Sequence, residues 1–279
     1  MIFSRENKND STFRPRINNM PIEEKQSARF LGVIVDNKLN WVQHINAIKS
    51  KMARYMGIMY KLKSALPQAA RLAIYHSFIQ SHLNYCSLIW GFSAKSNIEV
   101  LFRAQKKGIR VIMPGYVNYF YQDGVTPTST KPAFSEHNIL TVQNIIVKNS
   151  LIFMYKIHKF TSHLPISIRD TIPNSAPTTG STYETCTDWL AKYNYTKYRN
   201  SVYFKGPLLF TEMSSANEKW NLCFHVTSLK NAIKRTLREL QNQGNPIEWQ
   251  SENFKLYTIN GLRQSQRIAN STAAVSDAT

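Results

Sequence analysis

The side chains with the clearest chemical potential in this sequence are cations that crowd into one stretch. Between Asp36 and Asp123 there are twelve Lys or Arg residues and a single acid, Glu99. Cations fixed on a folded surface neutralise phosphates and release their counterions, so this pattern predicts a polyanion partner. The alternative is a solvated face that only keeps the domain soluble. Eight of these cations are our candidate nucleic-acid contacts: Lys49, Lys51, Arg54, Lys61, Lys63, Lys106, Lys107 and Arg110.

No comparable grouping of side chains points to catalysis or to metal binding. His76 and His82 are not an i,i+4 pair, and we interpret them, with His44, as packing or hydrogen-bonding residues. The three cysteines are far apart and have no metal-ligand spacing, which indicates reduced thiols in a cytosolic or nuclear protein. We therefore predict no catalytic residue, no metal ligand and an intracellular location.

Composition bounds the class of protein. The chain has 279 residues, 43% of them hydrophobic, so it can bury a sizeable core in one or two domains. Its 35 Lys and Arg residues against 17 Asp and Glu residues give a net charge of +18. The longest apolar runs are too short to span a bilayer, so no membrane partner is expected.

Three helical periods carry the basic stretch. The first is an apolar stripe from Ile45 to Leu62 with 3-4-3-4-3 spacing. A second, very apolar helix follows Pro67 and runs to Trp90. A third begins at the capping-box pattern Ser96–Glu99 and has the inner face Ile98, Leu101, Phe102, Gln105, Ile109 and Ile112.

Short strands and further helices flank these three helices. We predict short strands over residues 1–36, with Phe30–Val35 as one strand that is apolar on both faces and buried between layers. We predict a helix from Leu140 to Lys159, a strand at Ser201–Phe204 that ends at Gly206-Pro207, and an amphipathic helix from Leu229 to Leu240. The predicted class is mainly α with small β elements (α+β).

An ordered series of short motifs resembles one protein family. The segments Arg29–Asp36, Leu39–Trp41, His44-Ile45, Gly57–Leu62, His82–Cys86, Trp90-Gly91, Gln105–Lys107 and Phe204–Pro207 occur in the order found in reverse transcriptases of non-LTR, LINE-type (jockey-like) retrotransposons. The resemblance covers most of the chain, from about Met1 to Leu240. The resembling segments correspond to the part of the family that follows its polymerase motifs.

The resemblance implies a domain organisation and a role. Residues 1–36 would be the end of the palm and the primer-grip strands, with Phe30, Leu31 and Gly32 at the grip. Residues 37–160 would be a thumb-like helical bundle, and 183–240 would be a small C-terminal strand and helix unit. Composition predicts a linker at 161–182 and a disordered tail at 241–279. The implied partners are template-primer RNA, DNA or an RNA–DNA hybrid, and the palm and fingers of the polymerase.

One departure from the family decides the expected activity. Reverse transcriptases hold two metal ions with clustered carboxylates, but this sequence has no aromatic-X-Asp-Asp turn. We therefore expect a C-terminal polymerase fragment that is inactive alone and has no cofactor of its own, because Mg²⁺ would belong to the missing palm. The alternative is a structural or interaction remnant without independent binding activity.

Overall fold

Two small β-hairpins form the first part of the chain that the structure describes. The structure is a computed structural model, which describes residues 16–23, 25–112, 130–159, 165, 201–216 and 226–243. Strand β1 (Arg16–Ile17) pairs antiparallel with β2 (Met20–Pro21), and β3 (Ser27–Phe30) pairs antiparallel with β4 (Val33–Asp36). Two-residue turns close both hairpins, and all four of their turn residues have positive φ: Asn18, Asn19, Leu31 and Gly32.

The prediction of one buried strand over Phe30–Val35 is wrong. A turn at Leu31-Gly32 splits that run, with Phe30 paired directly to Val33. Gly32 adopts a φ of 81°, a conformation that glycine takes without steric cost and that a two-residue hairpin turn requires. Phe30 and Leu31 are consequently 69% and 75% exposed, and Val33 is the buried residue of this hairpin.

Helices make up most of the remaining described chain, so the predicted class, mainly α with small β elements, is confirmed. The helices are α1 (Val42–Leu62), α2 (Gln68–Ile74), α3 (Ser81–Asn84), α4 (Ser87–Trp90), α5 (Lys95–Ile112), α6 (Lys131–Glu136), α7 (Val142–Lys159), α8 (Val202–Ala216) and α9 (Val226–Asn242). A π-helical segment, Tyr75–Gln80, joins α2 to α3. None of the described helices is long and apolar enough to cross a membrane.

The predicted second helix, from Pro67 to Trp90, is interrupted. Cys86 has a φ of 50°, a left-handed conformation that a helix cannot continue through, and it separates α3 from α4. Trp90 is fully buried after this break, and its Nε1 donates to the Tyr85 carbonyl at 2.9 Å. The third predicted helix exists as α5, but it begins at Lys95, so Ser96 lies inside the helix and is not its cap.

The predicted strand at Ser201–Phe204 is also wrong. These residues lead into α8, which continues through Pro207 to Ala216. Val202, Leu209 and Met213 are buried on one side of it, at helical spacing. Packing of this apolar face on α7 outweighs the β-branched and aromatic run and the missing N–H of Pro207.

One hydrophobic core joins α1, α5, α7, α8 and α9 with the π-helical segment. Its largest fully buried side chains include Tyr75, Trp90 and Phe92. The predicted linker 161–182 lies outside the described residues except for Pro165, and the predicted tail 241–279 lies outside them except for 241–243.

Candidate nucleic-acid interface

Helices α1 and α5 run parallel and are tied together at both ends. They carry seven of the eight predicted contacts, and Lys63 directly follows α1. At the N-terminal ends, Asn97 Nδ2 donates to the Asn40 carbonyl at 2.9 Å. At the C-terminal ends, Arg71 Nε donates to the Ile112 carbonyl and its Nη1 donates to the Lys63 carbonyl, both at 2.7 Å. The cations of α1 and α5 therefore stand on a pair of helices whose relative position is fixed.

Asp36 fixes the chain that leads into α1. Its carboxylate accepts backbone N–H bonds from Lys38 at 3.1 Å, Asn40 at 3.0 Å and Trp41 at 2.8 Å. Trp41 has a φ of 65° and is the cap residue of α1, so the helix begins immediately after this turn. The carboxylate of Asp36 is thus used to satisfy backbone donors that no helix or strand bond would satisfy.

The outer face of α5 is basic. Arg103, Lys106, Lys107 and Arg110 lie on the side opposite the buried face of this helix, and Glu99 is the acid of that face. Lys106 Nζ stands 4.2 Å from the centre of the Phe102 ring, which holds this ammonium group in one place. Lys107 is exposed, whereas Arg110 is half-buried.

The cations of α1 do not share one face. At about 100° of rotation per residue, Lys51, Arg54 and Lys61 fall within about 80° of each other, while Lys49 lies on the other side of the buried stripe. Lys63 follows the last helical residue and places its Nζ 4.2 Å from the centre of the Tyr60 ring. The structure therefore separates Lys49 from Lys51, Arg54 and Lys61.

Within the described residues, no ion pair joins a carboxylate to these exposed or half-buried cations: Lys49, Lys51, Arg54, Lys61, Lys63, Lys106 and Lys107. Lys25 pairs with Glu23 and His137 pairs with Glu136, both away from α1 and α5. Cations without acidic partners create the positive field that attracts a polyanion.

Burial and nearby cations lower the pKa of two histidines beside Lys51. His44 is buried, and its Nδ1 accepts the Ile34 N–H at 3.3 Å. Burial and the nearby charges of Lys51 and Arg29 lower the pKa of His44 to about 4. Burial and Lys51 also lower the pKa of His82 from its ordinary value, and the ring of His82 stacks on Tyr55. These histidines hydrogen-bond and pack, as the sequence analysis predicts.

The three predicted grip residues form the exposed tip of the second hairpin. Tyr85 Oη donates to the Leu31 carbonyl, and a Cβ on Gly32 would lie 3.5 Å from the Tyr85 ring. The tip is thus docked against the chain between α3 and α4. Phe30 and Leu31 remain free to contact another molecule.

The sequence analysis missed a second group of cations, on α7 and α9. Lys148 is buried on α7, and its Nζ donates to Asn84 Oδ1 at 3.5 Å. Burial, Lys230 and Lys234 together lower its pKa to about 8. The sequence shows that Lys230, Lys234 and Arg238 follow one another at intervals of four residues on α9. It does not indicate that Lys148 faces them.

The described residues do not fit a two-metal centre. In the described ranges, no three His, Cys, Asp or Glu side chains come together as possible ligands of one ion. The Asp36 carboxylate, the nearest to the primer-grip candidates along the chain, is occupied by backbone N–H groups.

A comparison with known proteins finds a partial relative. Over 99 residues the chain is 27% identical to the probable RNA-directed DNA polymerase from transposon X-element of Drosophila melanogaster. The matched stretch is 34% of this chain and 11% of the Drosophila protein. No protein-family model matches the chain, and no solved structure is significantly similar to it. The partial match supports a relationship with the reverse transcriptases of retrotransposons.

Proposed function

We propose that this chain is the palm-end and thumb part of a retrotransposon RNA-directed DNA polymerase, and that it binds the backbone of the template-primer duplex. It does so through Lys51, Arg54 and Lys61 on α1 and through Lys106, Lys107 and Arg110 on α5, with Lys49 and Lys63 at the margins. The chain supplies binding and positioning, and the catalytic carboxylates and their Mg²⁺ belong to another part of the polymerase.

The observation that carries this proposal is the pair of tied parallel helices with basic outer sides. Arg71 and Asn97 hold α1 and α5 together at both ends. Exposed or half-buried cations on these two helices have no carboxylate partners among the described residues: Lys49, Lys51, Arg54, Lys61, Lys63, Lys106 and Lys107. A rigid surface of this kind favours phosphate contacts, which position a duplex without reading its sequence.

The primer-grip assignment follows from the same proposal. Phe30 and Leu31 project from the hairpin tip, and Arg29, next to them, is close enough to His44 to help lower its pKa. Lys51 also acts on the pKa of His44, so the hairpin and the basic side of α1 lie near one another. We propose that the tip contacts the primer strand while α1 contacts the backbone.

Charge reversal on α5 tests the binding site. We expect Lys106→Glu with Lys107→Glu to weaken binding to a short labelled RNA–DNA hybrid at least about tenfold in fluorescence anisotropy, because two phosphate contacts become repulsive. The matched control is Lys25→Glu with Lys156→Glu, which changes the net charge equally at exposed positions off both helices.

The control separates a site from a general charge effect. If the two double variants lose affinity equally, net charge alone attracts the duplex and the α5 surface is not the site. Circular dichroism of both variants checks that they keep the helical content of the parent chain.

A protein-binding role is the second candidate, favoured by the exposed apolar residues of the two hairpins. Ile17, Met20, Phe30 and Leu31 are 64%, 74%, 69% and 75% exposed. Ile17 and Met20 pair across the first hairpin, and Phe30 and Leu31 are adjacent in the second, so each hairpin presents an exposed apolar pair. Exposed apolar side chains that lie together can mark an interaction surface. In this reading the hairpins bind the palm and fingers of the polymerase. Concentration-dependent elution in size-exclusion chromatography, reduced by Phe30→Ser with Leu31→Ser, would favour it.

A further inference from the structure

The second group of cations, Lys148, Lys230, Lys234 and Arg238, lies where α7 and α9 pack together. Asn144, one turn before Lys148 on α7, donates from Nδ2 to Gln241 Oε1 at 2.9 Å and to the Leu237 carbonyl at 3.4 Å. Lys148 in turn lies near Lys230 and Lys234, which precede Leu237 in the sequence. The two helices are therefore antiparallel, and this packing brings the lysine of α7 to the basic side of α9.

The position of Lys148 is unusual for a lysine. Only 8% of the residue is exposed, and its hydrogen-bond partner is a neutral amide at 3.5 Å. Its charged neighbours are cations, and within the described chain no carboxylate forms an ion pair with any member of the group. A buried cation normally has a carboxylate or another anion as its partner.

The surroundings of the group leave room for an anion. Lys230 is exposed and Lys234 is half-buried, so both ammonium groups can turn toward a ligand from solvent. Arg238 donates from Nη2 to the Asn138 carbonyl at 3.0 Å. A pocket of about 490 Å³ reaches the group at Lys234 and Arg238 but not at Lys148 or Lys230, and its lining also includes Arg235 and the acid Glu239.

Helix α3 separates the group from the basic side of α1. Helix α3 lies between them, with His82 near Lys51 of α1 and Asn84 in contact with Lys148 of α7. These two residues of α3 are two positions apart and so point to different sides of the helix. One basic group therefore lies on the α1 side of α3 and the other on its α7 side.

We propose that Lys148, Lys230 and Lys234 bind a phosphate group, with Arg238 at its edge, and that in the nucleic-acid complex this group belongs to the backbone beyond the part held by α1 and α5. The assignment to a backbone phosphate rests on the proposed function. The phosphate replaces the long contact between Lys148 and Asn84 with charge-assisted hydrogen bonds.

Binding of the labelled RNA–DNA hybrid to matched variants tests the site. We expect Lys148→Gln to weaken binding about tenfold, and Lys230→Gln with Lys234→Gln to weaken it at least as much. Lys156→Gln is the control because it removes the same charge from an exposed position of α7, and we expect less than about a twofold change. The Lys230 and Lys234 variant also keeps the test valid if Lys148→Gln fails to fold.

Lysine-detected NMR of the full chain identifies the source of the phosphate. The hybrid should raise the pKa of the Lys148 ammonium by about 1–3 units, as an anion in contact does. A rise with inorganic pyrophosphate but not with the hybrid would overturn the backbone assignment and leave a site for free phosphates.

The failures of the two proposals are distinguishable. If the Lys148 and Lys230/Lys234 variants bind the hybrid as tightly as Lys156→Gln does, while Lys106→Glu with Lys107→Glu loses binding, this site is absent and the proposed function stands. If the parent chain does not bind the hybrid at low salt, the proposed function fails. If pyrophosphate also leaves the pKa of Lys148 unchanged, the anion site is absent as well.

Discussion

Arg71 donates its Nε–H to the carbonyl of Ile112 at 2.7 Å, which joins the middle of α2 to the last residue of α5, 41 positions later. Its Nη1 donates to the carbonyls of Lys63 and Leu66, also at 2.7 Å. These carbonyls lie just beyond the end of α1 and at the end of α5, where helical bonding leaves acceptors unpaired and the helix dipole favours a cation. One of the twelve cations in the basic stretch therefore has a structural role.

Replacing Arg71 should destabilise the fold. Arg71→Met leaves three carbonyls without their donor, and we expect the free energy of unfolding in urea to fall by about 2–4 kcal/mol. Arg103→Met is the control, because Arg103 is exposed and makes one long hydrogen bond, at 3.4 Å, to the Glu99 carbonyl. Equal loss in the two variants would mean that Arg71 does not hold the ends of α1 and α5.

Acid should destabilise the chain through His44. Its pKa is about 4 in the folded state and near 6.5 when unfolded, so the unfolded chain binds the extra proton between these values. The contribution of His44 to the free energy of unfolding is therefore fully present above pH 6.5 and decreases as the pH drops toward 4. Below pH 4 this residue causes no further loss. His44→Asn keeps an acceptor near the Ile34 N–H, and asparagine does not titrate. The urea midpoint of this variant should therefore change less with pH between 4 and 6.5 than that of the parent chain.

Alkali should stabilise the chain through Lys148. Its pKa is about 8 when folded and 10.5 when unfolded, so the folded state loses its proton first and stability rises from pH 8 to 10.5. Lys148→Met removes this rise, and we expect it to increase the free energy of unfolding at neutral pH by about 1–3 kcal/mol. Burial also lowers the pKa of Lys205 to about 8, so some rise should persist in the variant. A full rise in Lys148→Met would show that Lys148 is not the group responsible.

Gln105 should be the most sensitive polar residue of the core. Its Nε2 donates to Tyr75 Oη and to the Leu140 carbonyl, and its Oε1 accepts the Val142 N–H, all at 2.9 Å. Gln105→Leu leaves these groups buried and unpaired, so we expect a loss of about 3 kcal/mol in thermal or urea unfolding. The control Gln43→Leu, at an exposed position of α1, should change stability by less than about 0.5 kcal/mol.

Helical periodicity made much of this fold predictable. The spacing of Ile45, Ile48, Met52 and Met59 gave the buried face of α1, and the apolar spacing of α5 placed Gln105 inward. Its cations could be assigned to the outer face for the same reason. Periodicity depends only on neighbours in the sequence, and these helices obey it over several turns.

Other features depend on partners that the sequence does not indicate. The turns at Leu31-Gly32 and Cys86 need positive φ at leucine and cysteine, two residue types that rarely adopt it. Helix α8 forms because α7 covers its apolar face, although its first residues favour a strand. Arg71 and Lys148 carry the same charge as the surface cations, and only distant segments make one structural and the other buried.

The salt dependence of binding to an RNA–DNA hybrid tests the central claim most directly. We expect tight binding at low salt and a logarithmic slope of about −4 or steeper, because each neutralised phosphate contributes close to one unit for a duplex. A folded, monodisperse sample that does not bind at low salt, or that binds with a slope shallower than about −1, would contradict a backbone-binding role for α1 and α5.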